Sequence, residues 1–206
     1  MFAAVGRTEM GVLFFTYTCI LLLQVFTVGG AIPRSRTFMV WTSAFHLGIM
    51  VSFFWTLIIN ALILFQFVED GTKYTTQFIV GTSVAWIVGV TFMSLDLAID
   101  FTKHHDGHSS GLYFLTLVFP AAAVLIYAFL ASILIFRKLE EYKSLVYVAL
   151  ALVTFSVSQL ILFDASYKIA TRTSGRLNGS MFAIFFDLAS VSFLYKFWNT
   201  ITDGMS

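Results

Sequence analysis

The sequence predicts an all-α protein, a polytopic membrane helical bundle with about six transmembrane helices. Of the 206 residues, 59% are hydrophobic and only 11% are charged, whereas soluble domains carry about 25% charged residues. The chain contains 24 phenylalanines and only two prolines, and the scarcity of proline favours long, unbroken helices. Because the mean hydropathy is +0.89, we expect most of the chain to face lipid.

Six apolar segments are long enough to cross a bilayer, which takes about 20 residues of helix. A helix also satisfies its own backbone polar groups, which lipid cannot do. The segments are residues 10–32, 38–67, 76–97, 112–136, 145–163 and 179–196. The connections between them are short, so we expect residues 1–206 to form a single integral membrane domain.

Each segment has its own features. Residues 10–32 are longer than the roughly 7–15 apolar residues of a cleavable signal peptide, so we expect a retained helix. Residues 38–67 exceed what a bilayer needs and are expected to tilt or project. Pro120 lies near the start of the fourth segment, where it is expected to kink the helix or to lie in its first turns. The fifth segment carries Gln159, and the sixth carries Asp187.

Charge excludes one class of function and leaves orientation open. A net charge of +1 without a clustered basic face excludes nucleic acid as a partner. Loop cations normally set orientation, but here each side of the membrane receives six. The side of the termini holds Arg7, Lys73, Arg137, Lys138, Lys143 and Lys196, and the other side holds Arg34, Arg36, Lys103, Lys168, Arg172 and Arg176.

The polar stretch KHHDGHSSG suggests an alternative function, an intramembrane zinc-dependent hydrolase. Asp96 and Asp100 would share a helix face with His104 if the third helix continued that far. His104 and His108 have the spacing of an HxxxH pair, and imidazole and carboxylate groups suit zinc. Gly107 interrupts the ligand helix, however, and such a stretch is typical of a loop. We therefore assign no metal, cofactor or catalytic residue here.

Asp187 suggests a second alternative, a small transporter in which this residue carries a proton. An ionisable side chain inside a membrane helix costs at least about 2.5–3.5 kcal/mol at the bilayer centre, so it points to function by default. The simpler interpretation is a buried partner for a polar group on a neighbouring helix. His46, inside the second segment, is interpreted as a packing residue. The chain has no GxSxG, Walker or HExxH motif, so we predict no enzyme.

Polar residues inside the apolar segments predict contacts between membrane helices. Ser156, Ser158 and Gln159 cannot all share one helical face, so we expect at least one of them to face a partner. Most of the other hydroxyl groups are interpreted as holding the bundle together. This group comprises Ser83, Ser94, Ser190 and Ser192.

Four stretches carry a family resemblance when they are taken in order. They are AVGRTEMGVLFFTY, FQFVEDGT, FSVSQLILF and NGSMFAIFFDLASVSFLYKFWNTIT. Together they resemble the fungal chitin synthase export chaperone family, and their shared order along almost the whole chain carries the resemblance. The candidate residues for fold or client contact are Gly6, Arg7, Glu9, Glu69, Asp70, Gly71, Thr72, Gln159, Gly179, Asp187, Tyr195, Lys196 and Trp198.

The resemblance implies a non-catalytic membrane chaperone or accessory subunit. Its client is expected to be a membrane-embedded glycosyltransferase, most simply chitin synthase, whose folding and export from the endoplasmic reticulum it supports. The implied partners are this client, the lipid bilayer and the vesicle-coat machinery, and no cofactor is implied. A permanent subunit would accompany its client to the plasma membrane.

The family pattern also sets an expected topology. Its members have seven helices, and this chain is similar to them from the second helix onward, as in an N-terminally shorter, divergent member. Without the first helix, both termini are expected on the cytoplasmic side. Asp187 stands where the family carries asparagine, and Asn178 where it carries aspartate.

Overall fold

The computed structural model describes residues 6–28, 37–65, 71–100, 102, 110–136, 142–165 and 179–203. Within these ranges the secondary structure is helical and contains no strand. Six helices are long and apolar enough to cross a membrane, which confirms the predicted all-α polytopic class. They are α1 (Arg7–Val28), α2 (Thr37–Leu64), α3 (Lys73–Ile99), α4 (Ser110–Leu134), α5 (Tyr142–Leu160) and α6 (Gly179–Asp203).

Helix α4 contains a wide turn next to its proline. Residues Phe114–Val118 form a π-helical turn, and Pro120 lies two residues after it. The N–H of Phe119 donates to the carbonyl of Phe114, five residues earlier. Proline removes a backbone donor and its ring crowds the preceding turn, and single π turns accommodate such defects inside α-helices. The predicted irregularity at Pro120 therefore takes the form of a widened turn.

The chain packs as two compact units, with the division inside α4. Val5–Leu130 form the N-terminal unit and Ala131–Ser206 belong to the C-terminal unit. The first unit contains α1, α2, α3 and most of α4. The second contains the end of α4 together with α5 and α6.

Helix α2 is the central element of the N-terminal unit. In its most apolar stretch 72% of the residues are buried. Helix α1 packs against it through Met10, Leu13 and Tyr17, whose spacing of three and four residues places them on one face. The ring of Tyr17 lies 5.6 Å from that of Phe53 on α2.

Helices α2 and α3 approach each other closely at Gly48. A Cβ atom at this position would lie 2.6 Å from Thr91 Oγ1 and 2.7 Å from the carbonyl oxygen of Ile87. The contact therefore requires glycine, as is common where membrane helices meet.

Polar side chains fasten the same pair of helices. Thr56 and Ser83 exchange a buried hydroxyl hydrogen bond of 3.1 Å. The indole Nε1 of Trp55 donates to Thr82 Oγ1 at 3.0 Å. We call these two hydrogen bonds and the contact at Gly48 the α2–α3 seam.

The C-terminal unit is built around the α5–α6 pair. Ser158 Oγ on α5 donates to the carbonyl of Ala183 on α6 at 3.0 Å. Ser190 Oγ on α6 donates to the carbonyl of Ala151 on α5 at 2.8 Å. On each helix the donor and the acceptor are seven residues apart, about two helical turns, so the two hydrogen bonds run in opposite directions along one antiparallel contact. We call this contact the α5–α6 seam.

Candidate functional site

The start of α1 is fastened to the turn between α2 and α3. Glu9 lies in the first turn of α1, and its side chain is 0% exposed. Its Oε1 accepts a hydrogen bond of 2.9 Å from the backbone N–H of Gly71. Sixty-two residues separate these partners in sequence. We call Gly6, Glu9, Gly71 and Thr72 the N-terminal joint.

Local conformation explains why these residue types form the joint. Gly6 and Gly71 have φ angles of +70° and +67°, a region that side-chain-bearing residues rarely adopt. Thr72 is the N-cap of α3, and its Oγ1 accepts a hydrogen bond from the N–H of Thr75 at 3.2 Å. The positive φ of Gly71 and the N-cap at Thr72 thus precede the start of α3 at Lys73.

The electrostatics of the joint favour a carboxylate. Glu9 lies in the first turn of α1, and its partner Gly71 comes two residues before α3 begins. Helix starts carry partial positive charge and unpaired N–H groups. Glu9 Oε2 has no hydrogen-bond partner within the described ranges, so the N–H of Gly71 is the side chain's anchor. Arg7, two residues before Glu9 and on a different face of α1, is exposed.

The joint brings together four of the predicted candidate residues. Gly6, Glu9, Gly71 and Thr72 come from two of the matched stretches and meet at one place. Glu69 and Asp70, which precede Gly71 in the same stretch, lie outside the described residues. The structure therefore supplies a contact for the first and second stretches that spacing in sequence did not reveal.

The matched residues of α6 divide into a buried and an exposed group. Gly179 is buried at the first position of the helix. Tyr195 and Lys196 are exposed near the other end, and Trp198 is partly buried with its ring 6.0 Å from that of Tyr195. Aromatic and cationic side chains near a helix end are typical of the membrane interface.

Asp187 lies in the α5–α6 seam. Its carboxyl group faces Ser158 of α5, while its Oδ1 has no hydrogen-bond partner among the described residues. Ser158 is 0% exposed, and its hydroxyl hydrogen is donated to the carbonyl of Ala183. The polar neighbour of Asp187 on an adjacent helix is therefore a serine of α5.

Gln159 and Ser156 point away from the seam that contains Ser158. Ser156 is exposed and Gln159 is partly buried. Neither side chain has a hydrogen bond within the described structure. The expectation that these three residues divide between two faces is met, since Ser158 faces α6.

The proposed zinc ligands are not brought together in the described residues. Asp96 Oδ1 accepts from the N–H of Thr102 and Oδ2 from its hydroxyl, both at 2.8 Å. Helix α3 ends at Ile99, because Asp100 adopts a left-handed φ of 56° and its N–H donates back to the carbonyl of Asp96. The condition for a shared face with His104, continuation of this helix toward the histidines, is therefore not met. His104, His105 and His108 lie outside the described residues.

No other metal arrangement appears in the part of the chain that the structure describes, where no group of three or more histidine, cysteine or acidic side chains converges. His46 is partly buried on α2, and its Nε2 has no hydrogen-bond partner there. It remains a packing residue in this arrangement.

Three residues that form contacts of α2 were not predicted from the sequence. They are Gly48, Thr56 and Asn60. Asn60 is 4% exposed, and its Nδ2 donates to the carbonyl of Thr56. The sequence signal that could have identified them is the recurrence of small or polar side chains every four residues on α2, a segment longer than a bilayer requires.

The comparisons with known proteins identify the family. A family model described as chitin synthase export chaperone matches residues 1–204. Curated relatives of that name occur in Cryptococcus neoformans (29% identical), Aspergillus fumigatus (28%) and Candida albicans (29%). Each alignment covers 98% of this chain and 56%, 61% and 65% of the respective relative. The chain therefore spans about three fifths of the length of these relatives. No solved structure matches it.

Proposed function

Because the chain belongs to the chitin synthase export chaperone family, we propose that it is a non-catalytic membrane chaperone or accessory subunit for a chitin synthase. It binds this membrane-embedded glycosyltransferase, supports its folding and promotes its export from the endoplasmic reticulum. The observation that carries the proposal is the match of the family model to residues 1–204.

The use of polar groups in the helices supports a binding role. Thr56 with Ser83, and Ser158 with Ala183, connect neighbouring helices. Interhelical hydrogen bonds of this kind hold membrane helices together in the absence of a hydrophobic driving force. A protein that arranges its own helices in this way has the chemistry to hold the helices of a client.

We assign different roles to the buried and the exposed family residues. Glu9 is 0% exposed and fastened to Gly71, so its role is to fix the fold. Arg7, Tyr195 and Lys196 are exposed, so they are the matched residues that a client can touch without rearrangement of the chaperone.

The same proposal includes location and partners. The protein lies in the endoplasmic reticulum membrane with both termini in the cytoplasm. Its partners are the synthase, the surrounding lipid and the vesicle coat that collects the synthase. No cofactor is required, because holding and releasing a helical client involves only non-covalent contacts.

The test follows a fluorescently tagged chitin synthase in cells with and without this protein. We expect the synthase to stay in the endoplasmic reticulum when the protein is deleted and to reach the cell surface when the wild-type chain is restored. A chain carrying Gly81→Ala is the matched control, since nothing lies within 4 Å of a Cβ atom at Gly81, and it should restore export fully.

Two results would separate versions of this proposal. A synthase that reaches the surface normally without the protein would overturn the export role. Persistent co-localisation of the two proteins at the cell surface would favour the permanent subunit over the transient chaperone.

A further inference from the structure

The face of α5 opposite the α5–α6 seam is apolar, open and interrupted by two polar side chains. We call this surface the outer face of α5, which comprises Ala149, Val153, Ser156, Gln159 and Leu160. At about 100° per residue, these residues fall within roughly a third of the helix circumference. Val153 and Leu160 are 58% and 68% exposed, and Phe163, in the π-helical turn Ile161–Ala165 that follows α5, is 64% exposed.

Gln159 and Ser156 leave their hydrogen-bonding groups unused on this face. They are three residues apart and so neighbours on the helix. Neither side chain has a hydrogen bond in the described structure. Thr154, by contrast, donates to the carbonyl of Leu150 within its own helix at 2.7 Å. The amide of Gln159 adds two N–H donors and a carbonyl acceptor, and the described residues satisfy none of them.

The position of Gln159 makes this arrangement costly in lipid alone. The candidate span of α5 runs over Lys143–Asp164, and Gln159 lies five residues before its end, about 7 Å at 1.5 Å per residue. Acyl chains offer no hydrogen bonds, and an unpaired amide is strongly unfavourable in such a medium. The amide of Gln159 is therefore more stable beside a partner that can form hydrogen bonds inside the bilayer.

We propose that the outer face of α5 holds a transmembrane helix of the client synthase, whose polar side chain hydrogen-bonds with Gln159 and Ser156. The inference rests on the proposed function and adds the docking surface to it. A membrane helix fits because Ala149 and Ser156 are small and two turns apart, which lets a second helix approach closely. The unused amide of Gln159 favours a hydrogen-bonding helix over acyl chains as the occupant.

The first test compares recovery of the synthase on Gln159→Leu and Thr154→Val versions of the full chain in mild detergent. Leucine keeps the size of the side chain but removes the amide, so we expect about three- to tenfold less synthase per chaperone. Thr154→Val is the matched control, and its recovery should equal that of the wild type because Thr154 hydrogen-bonds within α5. Equal recovery on all three chains would overturn the docking surface.

The midpoint of thermal unfolding of the free chaperone separates docking from a structural role. Gln159→Leu removes an unpaired amide, so its midpoint should equal or exceed that of the wild type. A lowered midpoint together with reduced recovery would assign Gln159 to the fold and overturn the inference. A wild-type chain that recovers no synthase would instead overturn the proposed function itself.

A photo-crosslinking residue at position 160 identifies the occupant. The expected adduct has the mass of the chaperone plus the synthase and disappears when Gln159→Leu is added. An adduct of two chaperone chains, or of chaperone and lipid only, would overturn the assignment of this face to a client helix.

Discussion

The two helix pairs of this protein use similar hydrogen bonds but differ greatly in how much of their surface they bury. In the N-terminal unit, 72% of the most apolar stretch of α2 is buried. In the C-terminal unit the corresponding values are 11% for α5 and 17% for α6. Both pairs are nevertheless joined by buried serine or threonine hydroxyl groups. The difference lies in the surroundings of each pair.

This difference separates a self-contained unit from one whose surface is open. Around α2, the side chains of Thr56, Asn60 and Trp55 each find a partner within the N-terminal unit. Along α5, the side chains of Ser156 and Gln159 find none in the described structure. Unpaired polar atoms also occur on α2, where Ser52 Oγ has no partner among the described residues. Ser52 is 0% exposed, however, whereas Ser156 and Gln159 lie on an open face from which they can reach an external partner.

The largest expected effect concerns the close contact in the N-terminal unit. Gly48→Val places side-chain carbons where Thr91 Oγ1 and the carbonyl of Ile87 already lie. We expect a loss of about 3 kcal/mol in unfolding free energy, since overpacking forces the helices apart. Thermal unfolding in detergent measures it, with Gly81→Val as control because a Cβ atom at Gly81 meets nothing within 4 Å. Equal stability of the two variants would contradict the tight α2–α3 contact.

The second effect concerns the N-terminal joint. Glu9→Ala leaves the N–H of Gly71 without its acceptor, so we expect a loss of about 2 kcal/mol in unfolding free energy. Glu9→Gln keeps an acceptor and should lose less. Arg7 is exposed and lies two residues before Glu9, so Arg7→Ala should change the unfolding free energy by no more than about 0.5 kcal/mol. The role of the joint would be rejected if Glu9→Ala unfolded at the same temperature as Arg7→Ala.

The third prediction sharpens the comparison of the two seams. Ser83→Ala and Ser158→Ala each remove one interhelical hydroxyl hydrogen bond, and each should lower the unfolding free energy by a similar amount, about 0.6 kcal/mol. Equal losses in thermal unfolding would mean that the units differ in exposure and not in the strength of their interhelical hydrogen bonds. A loss confined to the N-terminal unit would show instead that the α5–α6 seam does not stabilise the fold.

The smallest effect is expected at Asp187. Asparagine keeps the size of the side chain and gains an N–H donor that Ser158 Oγ can accept, so Asp187→Asn should change unfolding free energy by no more than about 0.5 kcal/mol. Synthase export in cells should continue. Loss of export in this variant with unchanged stability would contradict the purely structural role of Asp187.

Much of the fold could be predicted because lipid imposes a simple rule on sequence. Long apolar runs must form helices, so six spans followed from hydropathy and length. Gly71 and Thr72 are local signals of the same kind, because glycine permits a positive φ and threonine caps helices. These signals are local and depend on a few neighbouring residues.

The rest depends on contacts that hydropathy does not encode. Apolar residues surround most of each helix, so hydropathy does not indicate which face of α1 contacts α2. The hydrogen bond between Glu9 and Gly71 joins residues that are 62 positions apart in sequence. The end of α3 at Ile99 lies close to the predicted residue 97, but the capping that produces it was not predicted. Its termination combines a left-handed aspartate at position 100 with side-chain capping of Thr102 by Asp96, and neither residue is a routine stop signal.

The central claim is that this protein keeps a chitin synthase in a folded, exportable form. The most direct measurement is the size distribution of the synthase extracted in mild detergent from cells with and without the protein. The account predicts a single well-defined species when the protein is present and large aggregates when it is absent. An unchanged, well-defined synthase in its absence would contradict the chaperone function.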